Sequence, residues 1–272
     1  MLSHRIRTIV LAAVLGLASL SCQTVQTTAP GAVGIERQQR MLISEEQVQA
    51  AAAQAYAQEL QKAREQKKLN TDKALTERVQ TVSRQLIPHT SVFRPDAPDW
   101  NWEINTLTTD DLNAYAMPGG KIMVYTGLVQ RLGLTDAELA AVIGHEIAHA
   151  LREHSRERMS RAYAQQLALA GVAVLAGVGQ QTLELANMLA TVTFQLPHSR
   201  EQEAEADIIG LELMARAGYD PNAAVSVWKK MMAENKDGPP EFLSTHPAPQ
   251  SRIQELQALI PRVMPLYEAA SH

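Results

Sequence analysis

Residues 145–149 read His-Glu-Ile-Ala-His. Four residues along an α-helix are about 400° of rotation, so His145 and His149 would lie one above the other on one face. Two imidazoles in that arrangement can bind one tetrahedral Zn²⁺ through ring nitrogens at about 2.0–2.1 Å. Glu146, one step round, stands beside such an ion rather than on it, where a carboxylate can take a proton from water activated there. The chemistry implied is hydrolysis, and it needs a third ligand. The continuation that supplies a third histidine to the metzincins is absent: Arg152 stands where glycine is needed and Ser155 where the histidine would be. The two-His-one-Glu pattern remains.

A glutamate is available downstream, in residues 199–218. Ser199 and Gln202 form a capping box, and Gly218 with Pro221 beyond it marks the helix end. Ala204, Ile208, Leu211 and Ala215 trace the buried stripe. Glu203 and Asp207 border it, and an acid at the edge of a core wants a partner. A zinc ion would be the partner of Glu203. Asp207, one turn on, could accept the free ring N–H of a zinc-bound histidine. Glu201 and Glu205 fall on the opposite side with Glu212 and Arg216, which reads as a solvated charged face.

The elements that must position these groups are mostly helices. Thr135 and Glu138 form a capping box, and Leu139, Val142, Ile143 and Ile147 recur at helical spacing, so His145–His149 sits on a helix. His154 falls about 140° round from His149, off the metal face, and His89, His198 and His272 read as loop or terminal residues. Ser44 and Gln47 open a long helix over 44–69, and a second runs from about Thr71 to Ile87. Trp100, Trp102, Ile104 and Thr106 alternate with polar residues, and 113–117 and 121–125 are two further strands around Pro118-Gly119-Gly120. The fold class predicted is α+β, mostly helical, with a small antiparallel sheet of about three strands. Residues 44–260 form a single domain, with N-terminal helices over 44–99, a catalytic core over 100–260, and a tail over 261–272. The apolar stretch 167–178 is too short to span a bilayer; it reads as a buried helix, a hairpin arm or a membrane-dipping element.

The chain of 272 residues has 25 Lys+Arg against 29 Asp+Glu, a net charge of -4, which gives no support to nucleic-acid binding. One cysteine excludes an intrachain disulfide and a Cys-based zinc knuckle. His4, Arg5 and Arg7 precede an apolar run from Ile9 to Leu20, the pattern of a signal peptide over 1–21. Small residues before Cys22 read as a lipobox, with Cys22 lipidated, or as a plain signal with an incidental cysteine. Residues 22–43 then read as a lipid-anchored flexible tether. Gln23 rather than Asp after the cysteine is similar to outer-membrane lipoproteins facing the periplasm.

His145–His149 together with Ser199-Arg200-x-x-Glu203-x-Glu205-Ala206-Asp207 resembles the HtpX / CAAX prenyl protease family of zinc metallopeptidases. Residues 113–129, with Asn113-Ala114 and Pro118-Gly119-Gly120, and residues 244–256, with Thr245-His246-Pro247 and Arg252-Ile253, resemble two further family segments in the family's order. The likeness is to its periplasmic or lipoprotein branch. It implies a zincin-like (gluzincin) core and one Zn²⁺ per chain, held by His145, His149 and Glu203 with Glu146 as the base. It also implies that His246, with Arg252, assists the oxyanion, or that His246 occupies the open zinc position and holds the enzyme latent. Arg252 could instead pair with an acid at the rim. The strand at Asn113 and Ala114 would cradle an extended substrate by strand addition. The expected function is a zinc endopeptidase of the bacterial cell envelope, acting on unfolded or misfolded envelope polypeptides. The alternative is a chaperone-like assembly factor on a latent peptidase fold, working with outer-membrane assembly machinery.

Overall fold

The computed structural model of the protein describes residues 23–170, 182–234, 241–247 and 250–270. The signal segment, Cys22, most of the 167–178 stretch and His272 lie outside the described residues. The described chain runs β1 (Gln23–Val25), β2 (Gln39–Met41), α1 (Glu45–Glu65), α2 (Lys73–Leu86), β3 (Glu103–Leu107), β4 (Ala114–Met117), β5 (Lys121–Tyr125), α3 (Thr126–Arg131), α4 (Asp136–Leu151), α5 (His154–Ala170), α6 (Thr182–Phe194), α7 (Arg200–Arg216), α8 (Asn222–Ala233), α9 (Glu241–Thr245) and α10 (Gln250–Ala270). Short 3-10 turns occupy Ile87–Val92 and Ala97–Asp99. The fold is α+β and mostly helical. Each of the three capping boxes opens a helix: Ser44 with Gln47 at α1, Thr135 with Glu138 at α4, Ser199 with Gln202 at α7. Each satisfies backbone N–H groups that a helix start otherwise leaves bare. Among the described residues, no helix is long and apolar enough to cross a membrane.

The three-stranded sheet is mixed, not antiparallel, and its order is β3-β5-β4. Gly119 and Gly120, at φ 76° and 81°, turn β4 back onto β5 as an antiparallel pair. β3 skips its sequence neighbour and pairs in parallel with β5, Ile104 opposite Ile122. The outer edge of β4 is thereby left facing α4, which is where the site requires it. β1 and β2 form a second, two-stranded sheet that the sequence pattern did not predict.

The main core gathers α4 and α7 with α2, α8, α10 and the sheet; a second cluster joins α1, α6 and the other face of the sheet. α4 and α7 meet backbone to backbone. A Cβ built on Gly210 would lie 2.8 Å from His145 N and 2.9 Å from Gly144 C, and one on Gly144 would lie 3.0 Å from Gly210 O. These two glycines therefore set how closely the helix bearing Glu203 approaches the helix bearing His145. Gly210→Ala gains about 1 kcal/mol of helix propensity but forces the helices apart. The expected net effect is a loss of about 1–3 kcal/mol, read by urea denaturation, together with weakened metal retention.

Two expectations about the ends of the domain are corrected. Residues 23–43 are a strap rather than a flexible tether: Thr28, Val33, Gln39, Met41 and Ile43 are buried. Ala32 N and Val33 N donate to the Glu212 carboxylate at 3.1 and 3.0 Å, and Gln39 Nε2 donates to Arg152 O at 2.6 Å. The strap covers the side of α7 expected to be solvated, so Glu205 and Glu212 are buried, Arg216 is partly exposed and Glu201 faces water. Residues 261–270 are likewise no tail; they continue α10 despite Pro261 and Pro265, with Val263 fully buried.

Candidate metal centre and active site

α4 presents His145 and His149 one turn apart, their Nε2 atoms 3.0 Å from each other. α7 brings in Glu203, whose Oε1 lies 3.4 Å from His149 Nε2 and whose Oε2 lies 3.5 Å from His145 Nε2. A fourth group joins them from the residue after α9: His246 Nδ1 is 3.3 Å from His145 Nε2 and 3.0 Å from Glu203 Oε1. Ligands at about 2.0–2.1 Å around a tetrahedral ion stand about 3.3 Å apart, and these separations bracket that value. The donor set of three imidazoles and one carboxylate suits zinc chemically. Glu203 is 1% exposed. Its Oε2 pairs with Arg252 Nη1 at 2.7 Å yet accepts no well-directed hydrogen bond. A buried anionic oxygen so placed wants a further electrophile, so these residues fit a divalent ion.

The tautomer of His145 is set from behind. Its Nδ1 lies 3.0 Å from Asp207 Oδ1, so Nδ1–H donates and the Nε2 lone pair is turned to the centre. Asp207 is in turn gripped by Arg252 through Nε and Nη2, each at 2.7 Å. Burial opposes the His145 imidazolium, but Asp207 and Glu203 outweigh it and lift His145 to about 9. A metal must displace that proton, so binding weakens as pH falls. Burial also works against the Glu203 carboxylate, yet His246, His145 and His149 hold it far below the usual range. Arg252, expected as an oxyanion donor, is instead committed to Asp207, Glu203 and Pro247 O, with its guanidinium 3.9 Å above the Trp228 ring. Its place is that of the other expectation, a cation pairing the site's acids.

Glu146 stands outside the four-residue cluster, next to His246. Its Oε2 accepts from Ala116 N at 3.0 Å, Oε1 has no hydrogen-bond partner, and His246 Nε2 stands 3.6 Å from Oε1. Burial raises its pKa, which makes it a stronger base than a surface glutamate. The strand carrying Asn113 and Ala114 does run beside it, at the outer edge of β4. That edge is closed in this structure. Asn113 and Ala114 are buried, Ala114 N–H is taken by Asn113 Oδ1 at 2.9 Å, and Ala116 N–H is taken by Glu146. Phe242 N–H of α9 donates to Leu112 O at 3.0 Å, tying the His246 segment to the same edge.

Comparison with known sequences places this geometry. The profile described as Peptidase family M48 matches residues 73–260, a span holding every residue of the cluster. The chain belongs to peptidase family M48. Among its relatives, "Mitochondrial metalloendopeptidase OMA1" of Arabidopsis thaliana is 38% identical over 158 residues, 57% of this chain and 31% of the relative. "Metalloendopeptidase OMA1, mitochondrial" of Bos taurus is 35% identical over 192 residues, 65% of this chain and 36% of the relative. "Beta-barrel assembly-enhancing protease" of Escherichia coli is 27% identical over 216 residues, 75% of this chain and 42% of the relative. The chain thus spans between about a third and a half of the length of these relatives. An M48 peptidase implies a metal; of the described residues, the matched span omits the N-terminal strap and first helix and the last residues of α10.

The M48 site includes residues that sequence reasoning set aside. His198, read as a loop residue, is buried and stacks on His246, ring centroids 4.8 Å apart at 20°, and lies 4.0 Å from the His149 ring. His154 is buried 2.8 Å from His149 Nδ1. Glu205 accepts from Arg152 and Arg37, and Glu157 accepts from Arg37, Gln39 and Gln202. No spacing rule links these residues, because the strap that joins them lies over 100 positions away.

This network carries a pH dependence. Burial raises the Glu157 carboxyl, but Arg37, Gln202 and Gln39 outweigh it and lower it from 4.5 to about 2. A depressed folded-state pKa stabilises above the unfolded value and is lost as pH falls through the folded one. Unfolding free energy from urea titrations is therefore expected to drop between about pH 4.5 and 2, by no more than about 3 kcal/mol from this group. Glu157→Gln should flatten that slope.

Proposed function

We propose that the protein is a zinc-dependent endopeptidase of the bacterial cell envelope, of the HtpX / CAAX prenyl protease type, that hydrolyses peptide bonds in unfolded or misfolded envelope polypeptides. The observation that carries the reading is the convergence of His145, His149 and Glu203 from two helices with Glu146 beside them. His145 and His149 offer Nε2 lone pairs and Glu203 a carboxylate. Zinc held there would lower the pKa of a water to about 7 and polarise the scissile carbonyl. Glu146 Oε1, which has no hydrogen-bond partner, takes the proton of the attacking water and delivers it to the leaving amine. The β4 edge, once released, offers the backbone N–H of Ala114 and Ala116 to an extended substrate, which selects chain conformation more than sequence. Cys22 would carry a lipid anchor holding the domain on the periplasmic face of the outer membrane; the OMA1 relatives, by name, are mitochondrial.

His246 holds this enzyme latent. Its Nδ1 stands among the groups that would hold the ion, where it would compete with water, and its Nε2 faces the base. Zinc-loaded protein is therefore expected to cleave casein slowly, and His246→Ala to cleave it severalfold faster at unchanged zinc content. A dead His246→Ala variant would instead make His246 a transition-state donor. The closed β4 edge, with the name of the Escherichia coli relative, favours the second reading, an assembly factor on a latent peptidase. Full support of envelope function by a Glu146→Gln variant would decide for it.

A further inference from the structure

We propose that His154 is a positioning residue for the metal ligand His149, its tautomer fixed by Glu205, in the way that Asp207 positions His145. The inference rests on the metal reading above, and it assigns a task to two residues that neither binding nor chemistry there uses.

The turn after α4 makes the contact. Helical spacing would carry His154 away from the metal face, but α4 ends at Leu151 and Glu153 adopts a left-handed φ of 51°. The chain reverses there and starts α5 at His154. The ring returns to the back of His149: Nδ1 of His154 is 2.8 Å from Nδ1 of His149, with ring centroids 4.9 Å apart at 71°. Two ring nitrogens at that distance need one proton between them. Nε2 of His149 faces His145 and Glu203, so its lone pair must be free for the ion and the proton of His149 belongs on Nδ1. His149 Nδ1–H therefore donates, and His154 Nδ1 accepts.

That acceptance requires the proton of His154 to sit on Nε2. The far side of the ring supplies the reason. Nε2 of His154 lies 3.0 Å from Glu205 Oε2, a carboxylate that can only accept. Glu205 is anchored as an anion by Arg152 Nε and Nη2 at 3.0 and 3.1 Å, and by Arg37 Nε and Nη2 at 2.6 and 3.1 Å. The donor sequence therefore runs one way, from His149 to His154 to Glu205. These contacts are satisfied by a single tautomer of each of the two rings. α7 thus serves the centre three times at alternate residues: Glu203 as ligand, Asp207 behind His145, and Glu205 behind His149 through His154. A hydrogen bond of this kind holds ring orientation and raises ligand basicity, and losing one costs about 10–100-fold in metal affinity.

The test uses the full chain and zinc alone, titrated against a chromophoric chelator, with thermal melting as a check on folding. His154→Leu removes both hydrogen bonds and should weaken zinc binding by about 10–100-fold. His154→Gln returns an acceptor and a donor about as far apart as the two ring nitrogens, and should bring affinity back to within a few fold of wild type. ¹⁵N shifts of the zinc-loaded wild type should show His154 protonated on Nε2 and His149 on Nδ1; this readout stands even if the leucine variant fails to fold. Wild-type zinc affinity in His154→Leu, or a His154 ring protonated on Nδ1, overturns the proposal and leaves the metal reading intact. A wild type that binds no zinc overturns both.

Discussion

Glu146→Gln is expected to lower kcat on casein by about 10²–10⁴-fold, the usual worth of a positioned general base, with zinc content and melting temperature unchanged. The amide keeps the size of the carboxylate and can still accept from Ala116 N–H, the one hydrogen bond that Glu146 makes. What it loses is basicity at Oε1, the atom with no partner. Because Glu146 is off the ligand cluster, the ion should stay. Release of casein fragments, measured beside zinc content by mass spectrometry, reads both halves of the expectation. Equal cleavage by the variant would mean that another group accepts the proton, and the role given to Glu146 would fall.

Glu203→Gln should have an effect of comparable size by a different route, through loss of the ion itself. The neutral amide is a poor ligand, and it leaves Arg252 Nη1, now 2.7 Å from the carboxylate, facing the two imidazoles without its anion. Zinc affinity is expected to fall by more than the about 10–100-fold that removal of a supporting hydrogen bond costs, so chelator-treated variant should be zinc-free and inactive. The size of the loss is the discriminating quantity. A drop of about tenfold would rank Glu203 with Asp207 and His154, as a residue behind a ligand.

Much of this was legible in the residues. Three capping boxes gave three helix starts, and the His-Glu-Ile-Ala-His spacing on α4 needed only helical geometry. Glu203 and Asp207 stood out because a carboxylate bordering an apolar stripe has to be satisfied by something. Other features depend on contacts that no local pattern encodes. The sheet order was missed because alternation reports which face of a strand is buried and says nothing about which edge a neighbour takes; β3 goes to the far side of β5 since the β4 edge belongs to α4. The strap was missed because its first residues are small, polar and Gly- and Pro-bearing, which matches a linker. What holds it is a few directed bonds from Glu212, Arg152 and Glu157 rather than a hydrophobic run. His154 was set aside by extending the α4 wheel past a helix that ends at Leu151. A non-glycine residue with positive φ, here Glu153, leaves almost no trace in sequence.

The central claim is that His145, His149 and Glu203 hold one divalent ion. Anomalous diffraction from crystals of the zinc-loaded protein, recorded on both sides of the zinc absorption edge, tests it most directly. A single peak within about 2.3 Å of His145 Nε2, His149 Nε2 and a Glu203 oxygen is the predicted result. A peak elsewhere, or none at full zinc occupancy in solution, would contradict it.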